Sequence, residues 1–244
     1  MAAHPSVNVD ARPAAMSPIA VRGLDHWFGA GEARKQAIFD VSIEIERGSL
    51  TILMGPSGSG KTTVLTLMGC LRDVQGGSVR LLGQELAGAP ERVQVMLRRR
   101  LGFIFQAHNL HESLSATQNV LMGLQVHGRG GDPAAQLTAA RHGLELVGLG
   151  DRVDYLPGNL SGGQKQRVAV ARALASNPEV VFADEPTAAL DKASGANVVA
   201  MLRELGRRRG TTTVMVTHDN RILDMADRIV TLEEGRIVED RRVG

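Results

Sequence analysis

Short apolar runs of strand length alternate with stretches of helical spacing through most of the chain. Ile19-Ala20-Val21 opens a strand that Leu24-Asp25-His26-Trp27-Phe28 follows. Over residues 37–45 a second strand is predicted; from Val41 to Ile45 apolar and polar residues alternate as in a half-buried strand. Arg47-Gly48 turns it into the apolar run 49–54, and residues 63–68 can continue as a helix. Gly76-Gly77 and Gly83 punctuate a short strand over 78–82, a helix is predicted over 91–100, and a buried strand over 102–105 ends at Gln106. Between 107 and 164 the texture turns helical. Asp132 and Pro133 form an N-cap and first-turn pair, Leu137, Ala140, Leu144 and Val147 recur at helical spacing, and Gly148 stops the helix. The α/β rhythm then returns. A helix over 164–176 ends at Asn177-Pro178, and an apolar strand covers 180–183. A helix over 192–209 turns Val198, Val199, Leu202 and Leu205 inward and ends at Gly210. A strand over 211–216 follows, then a hairpin of 228–232 and 237–239 around Glu233-Glu234-Gly235-Arg236. The order predicts an α/β core carrying a helical insert at about 107–164. Residues 1–17, with Pro5 and Pro13 and no continuous apolar core, are predicted to be a disordered tail in which Met16 is an alternative start.

Composition narrows this only in places. A chain of 244 residues suffices for one large α/β domain. Aromatics make up 3%, so the core must be mostly aliphatic. The net charge of +2 is a small excess of base, almost all arginine, and gives no push toward a nucleic-acid partner. The arginine runs 98–100 and 207–209 read as solvated helix ends. The single cysteine, Cys70, excludes an internal disulfide and fits a reducing compartment. No run of about 18 apolar residues is present to cross a membrane as a helix.

The chemistry concentrates at residues 55–62, Gly-Pro-Ser-Gly-Ser-Gly-Lys-Thr, between a strand and a helix. That order is the one a phosphate-binding loop needs. Gly55, Gly58 and Gly60 let successive N–H groups converge on one anion, and the helix start adds its dipole. Lys61 can bridge phosphates and Thr62 can offer a hydroxyl to Mg²⁺. Alone, the motif says only that a nucleoside triphosphate binds. The strand 180–183 ends in Asp184 and Glu185, whose side chains should diverge because faces alternate along a strand. One carboxylate can serve a Mg²⁺ shell and the other an attacking water. Leu160-Ser161-Gly162-Gly163-Gln164 precedes a helix; Ser161 and Gln164 have capping-box spacing, and the glycine pair offers a second anion site at a helix start. Trp27 and Phe28 read equally well as core packing or as a flat face for a purine ring.

Taken together, these motifs resemble the nucleotide-binding subunit of an ATP-binding cassette (ABC) transporter over about residues 18–240. Leu160 to Gln164 matches the family's signature sequence letter for letter. The order also matches: Walker A at 55–62, Gln106 as the Q-loop glutamine, the signature, Walker B at 180–184, Glu185, then His218. The resemblance implies a P-loop NTPase fold, with a RecA-like core, an antiparallel β subdomain and the inserted α-helical subdomain. It implies ATP and Mg²⁺ as cofactors. The nucleotide would be held by Phe28 on adenine, with Trp27 as the alternative, and by Gly55, Pro56, Ser57, Gly58, Ser59, Gly60, Lys61, Thr62 and Thr63. Ser161, Gly162, Gly163, Gln164 and Asp191 would complete it across a sandwich homodimer. Thr62, Gln106 and Asp184 would hold the metal, and Glu185, His218 and Gln106 would be catalytic. Ala188 stands where the family's D-loop often has serine, so that hydroxyl is absent here.

The chain holds no membrane spans, so the resemblance also implies a separate permease, with the chain on the cytoplasmic face of the inner membrane. Gly55 to Thr63, residues 105–110 and residues 25–29 look most like DevA-type exporter ATPases, in the group with lipoprotein-releasing and macrolide-exporting ATPases. Members of that type pair with a permease and a periplasmic adaptor to export glycolipid or a related envelope product. The chain ends soon after the hairpin, whereas importer subunits usually continue into a regulatory domain. The alternative is a soluble ABC ATPase outside transport, such as one of iron–sulfur assembly.

Overall fold

A computed structural model of the chain describes residues 17–126 and 132–243. Apart from Ser17, the predicted tail lies outside the described residues. In chain order the elements begin with β1 (Ile19–Phe28), β2 (Lys35–Ile45), β3 (Leu50–Met54), α1 (Lys61–Met68), β4 (Gly76–Leu81), β5 (Gln84–Glu85), α2 (Glu91–Arg98) and β6 (Leu101–Ile104). They continue with α3 (Ala116–Val126), α4 (Pro133–Leu146), α5 (Gly162–Leu174), β7 (Val180–Asp184), α6 (Lys192–Arg209), β8 (Thr212–Val216), β9 (Arg228–Glu233) and β10 (Arg236–Arg242).

Two sheets result. One is antiparallel, in the order β2-β1-β4-β5, and the other has six strands in the order β10-β9-β3-β8-β7-β6. Within the second, β3 runs parallel to β8 and β9, and β7 runs parallel to β8 and β6. The near-continuous apolar runs of β3, β7 and β8 follow from this. A parallel sheet is covered on both faces, so both sets of alternating side chains must be apolar. Val180 and Phe182 join one core with Leu53, Val214, Val216 and α1, while Val181 and Ala183 join the other with Leu50, Ile52, Met215 and α6. The first core lies between the two sheets and also takes Ile19, Val21, Ile38 and Ile45 from the antiparallel sheet. Strand β1 is continuous through the two predicted segments, with an irregular register between Val21 and Leu24.

The predicted helical insert is present. Helix α3 packs on α4 and α5, and α4 packs on α5. Asp132 accepts from the Ala134 N–H at 3.1 Å, as an N-cap with Pro133 behind it should. Asn119 is fully buried and fully used: its Nδ2 donates to the carbonyls of His111, Leu114 and Ser115, and its Oδ1 accepts from the His111 N–H. It ties the loop before α3 to that helix. Among the described residues no helix is long and apolar enough to cross a membrane.

Several expectations need correction. Of the residues predicted to face inward on α4, Ala140, Leu144 and the C-cap Val147 are buried, and Leu137 stays 39% exposed because α4 covers the layer with a narrow stripe. Leu205 is only partly covered. Helix α5 starts at Gly162, two residues before the predicted 164, because Ser161 is its N-cap. The runs 98–100 and 207–209 are not simply solvated. Arg98 donates to the Cys70 carbonyl at 3.0 Å, and Arg209 and Arg208 bond Asn177 and Glu204. Arg100 clamps Glu179 bidentately at 2.6 and 2.9 Å, while the Glu179 N–H donates to the Arg100 carbonyl.

This last pair gives a pH-dependent contribution to stability. The Arg100 guanidinium holds the Glu179 carboxyl below its usual range, against the opposing effect of burial. A depressed carboxylate stabilises the fold above the unfolded value of about 4.3 and ceases to as pH falls through the folded value. Glu179→Gln should therefore unfold more easily than the wild type at neutral pH, with the difference shrinking on acidification. Urea titrations at several pH values would measure it; a pH-independent difference would contradict the assignment.

Candidate functional site

Parallel strands deliver their ends to one edge of the six-stranded sheet. Register sets Leu53 beside Val216 and Asp184 beside Val216, so β3, β7 and β8 finish together. Past those ends lie the glycine-rich loop, Glu185 and His218. Ligands of open α/β sheets bind at this edge, outside the carboxyl ends of the strands.

The loop after β3 cannot be built with ordinary residues. Gly55 has φ +135°, and a Cβ there would lie 1.9 Å from the Leu232 carbonyl oxygen. Gly60 has φ +99°, and its Cβ would lie 2.5 Å from Ile38 Cδ1. Two strands thus press on the loop and fix its curl. Gly60 is also the N-cap of α1 and brings no side-chain cap, so the first N–H groups of α1 are left for a ligand. Lys61 folds its ammonium over the loop, 2.8 Å from the Gly55 carbonyl, 2.7 Å from that of Pro56 and 3.3 Å from Ser59 Oγ. Burial lowers its pKa, while the Glu185 and Asp184 carboxylates oppose the shift. Residues 56–63 line a cleft of about 1270 Å³.

The carboxylates diverge as alternation requires. Asp184 follows Val180 and Phe182 onto the face that carries α1, and its Oδ1 accepts from the Thr62 hydroxyl at 3.1 Å. Burial raises its pKa and the neighbouring Glu185 adds to the rise, against the Thr62 hydrogen bond and Lys61. A cation beside this partly buried carboxylate would offset the cost of burying its charge. Among the described residues no cluster of three or more His, Cys, Asp or Glu could cage a metal. The set on offer is one hydroxyl, one carboxylate and open space for phosphate and water oxygens, which suits Mg²⁺. Glu185 leaves the strand at φ +50°, its N–H bonded to the Val216 carbonyl, and its Oε1 lies 2.8 Å from His218 Nδ1. The Glu185 side chain is 13% exposed and that of His218 74%.

Other expected residues are distributed as follows. Phe28 lines the cleft and is 41% exposed, with His26 edge-on to its ring and Arg72 above it. Trp27 does not line it; Arg34 covers its ring at 4.6 Å. Gln106 is exposed, two residues beyond Ile104, whose register partner is Ala183. Ser161 and Gln164 form the predicted capping box, each side chain accepting from the other's backbone N–H, at 3.3 and 2.9 Å. This leaves the Gly162 and Gly163 N–H groups at the helix start. Ser161 to Gln164 do not line their own chain's cleft, and neither does Asp191, which caps α6 through Ser194. A Cβ on Gly163 would lie 3.2 Å from Leu190 Cδ2, so the signature loop packs beside the stretch that leads to Asp191.

Sequence reading missed the far wall of the cleft. Lys35 to Ala37, Phe39 and Glu233 to Arg236 line it. Gly235 donates to the Ser59 carbonyl at 3.1 Å and accepts from Phe39 at 2.9 Å, joining the hairpin turn and β2 to the loop. Only the hairpin's Glu-Gly turn hinted at it; no local motif marks β2.

Comparison with known proteins bears on the family and the fold. The family described as ABC transporter matches residues 38–188. The macrolide export ATP-binding/permease protein MacB of Aggregatibacter actinomycetemcomitans is 42% identical over 92% of this chain and 35% of its own length. The chain thus spans about a third of that relative. An uncharacterized ABC transporter ATP-binding protein, MJ1508 of Methanocaldococcus jannaschii, is 41% identical over 87% of this chain and 94% of its own. Among solved structures, the dimeric post-hydrolysis state of the ATP-binding cassette MJ0796 bound to ADP and Pi superposes with a TM-score of 0.88 at 34% identity. It covers 93% of this chain and 99% of that one. The fold and site define an ABC cassette ATPase domain. The chain belongs to the ABC transporter family.

The close approach at Gly55 is testable on its own. Gly55→Ala should cost about 1–3 kcal/mol of stability through overpacking, more than Gly58→Ala, where no atom lies within 4 Å of an added Cβ. Urea denaturation of the two variants would measure this; equal losses would contradict the account of the loop.

Proposed function

We propose that the chain is the ATP-binding and ATP-hydrolysing subunit of an ABC transporter, acting as a homodimer on the cytoplasmic face of the inner membrane. The observation that carries this reading is the Thr62–Asp184 contact beneath the glycine turn, with the Glu185–His218 pair beside it. Gly55, Pro56, Ser57, Gly58, Ser59, Gly60 and Thr63 cradle the phosphates, and Lys61 exchanges its loop carbonyls for phosphate oxygens. Phe28 stacks on the adenine. Thr62 and Asp184, with Gln106 from the neighbouring strand end, hold Mg²⁺. Bound Mg²⁺ would offset the charge that develops on the transferring phosphoryl group. Glu185 takes a proton from the attacking water. His218, donating to it through Nδ1, orients the carboxylate and keeps Nε2 free to face the γ-phosphate. Gly162 and Gly163, with Ser161, Gln164 and Asp191, complete the site of a second copy. The exposure of Ser161 and Gly162 and the dimeric state of the MJ0796 relative support that arrangement.

The dimer drives a permease in export. The 42% identity to a relative named as a macrolide export ATP-binding/permease protein supports the export reading. The narrower reading is export of a glycolipid or another envelope product with a periplasmic adaptor; it rests on residues 25–29, 55–63 and 105–110.

Glu185→Gln tests both levels. Hydrolysis should fall by about 100-fold or more, the size expected for losing a general base, while ATP binding persists and a dimer accumulates; native turnover would contradict the assignment. Tagged Glu185→Gln protein with ATP should draw from native membranes a permease with a large extracytoplasmic domain and an adaptor. Recovery of soluble scaffold proteins alone would overturn the transport reading and leave the ATPase chemistry standing.

A further inference from the structure

The segment that follows Gln106 is fastened to α5 at three points. His108 Nε2 lies 2.9 Å from the carbonyl oxygen of Gly162, the first residue of α5. Arg172, near the other end of the helix, donates to the His108 carbonyl at 2.9 Å and to the Asn109 carbonyl at 2.5 Å. Lys165 and Glu112 form a looser pair at 3.9 Å. His108 and Asn109 both adopt positive φ, 61° and 49°. His and Asn are among the side-chain-bearing residues that enter this region most readily, and here the contacts to α5 hold both in place. The capping box of Ser161 and Gln164 already completes the start of α5. The imidazole contact is therefore additional to what folding of that helix requires.

We infer that His108 is a positioning residue for the signature glycines. Its Nε2–H donates to the Gly162 carbonyl and makes the segment after Gln106 and the N-terminus of α5 one body. A displacement at Gln106 is then carried to the Gly162 and Gly163 N–H groups instead of being absorbed in the loop. Those groups serve the second copy's nucleotide, so His108 governs closure of the dimer and not the binding of ATP to its own cleft. This rests on the dimeric ATPase reading above.

The test uses the full chain in the Glu185→Gln background, with ATP-driven dimerisation followed by analytical ultracentrifugation and monomer affinity for ATP by calorimetry. His108→Ala removes one intrachain hydrogen bond from each of the two copies and should weaken dimerisation about tenfold or more, while leaving monomer affinity unchanged. His108→Gln, whose amide can donate over a similar reach, should restore most of the loss. With Glu185 intact, His108→Ala should lower kcat at unchanged KM. Unaltered dimerisation in His108→Ala overturns the proposal. Equal losses in the alanine and glutamine variants, or a parallel loss of monomer ATP affinity, also overturn it, since both mark a purely structural residue. Failure of the Glu185→Gln parent to dimerise with ATP would defeat the functional reading first, and the parent alone reveals it.

Discussion

Parallel register across β3, β8 and β7 is the constraint on which the site depends. It brings Met54, Val216 and Asp184 to one edge, and everything chemical is attached there. Apolar cover on both faces makes that register rigid, because a slip of one residue would send Phe182 and Val181 to the wrong cores. Alternation then assigns the carboxylates: Asp184 continues the face that carries α1 and meets Thr62, while Glu185 turns away to His218. Two adjacent acidic residues acquire separate environments from strand alternation up to Asp184 and the positive-φ turn at Glu185.

Close backbone approach is the second constraint. The Leu232 carbonyl and Ile38 press on Gly55 and Gly60, and Gly235 joins the hairpin turn to Ser59 and Phe39. The loop is thereby set before any ligand arrives, with unpaired N–H groups at the start of α1 and an ammonium folded over it. Such a preset arrangement binds an anion without first ordering the backbone. The partly desolvated Lys61 and Asp184 bring opposite charges to the same small volume, where a phosphate and a divalent cation would each find a partner.

Much of this was legible in the chain because it is local. The loop at 55–62, the acidic pair after an apolar strand, the Ser161–Gln164 capping box and the Asp132 cap are short-range patterns with a direct physical cause. What was not legible depends on distant partners. The wall formed by Lys35 to Ala37 and the hairpin turn comes from chain ends that meet only in the fold. Arg100 reads as a solvated charge until β6 and β7 bring Glu179 to it. Leu137 fits the helical period but lies outside the stripe that α4 buries. The choice between Trp27 and Phe28 was equally open, since neighbours on a strand point to opposite faces; only Phe28 lines the cleft.

The central claim is that the glycine loop and Lys61 hold nucleotide phosphates. Calorimetric titration of Mg²⁺–ATP into the wild-type chain and into Lys61→Ala tests it most directly. The account predicts saturable binding of one nucleotide per chain in the wild type and a marked loss of affinity in the variant, with folding intact by circular dichroism. Equal affinity in the two proteins, or no binding by the wild type, would contradict it.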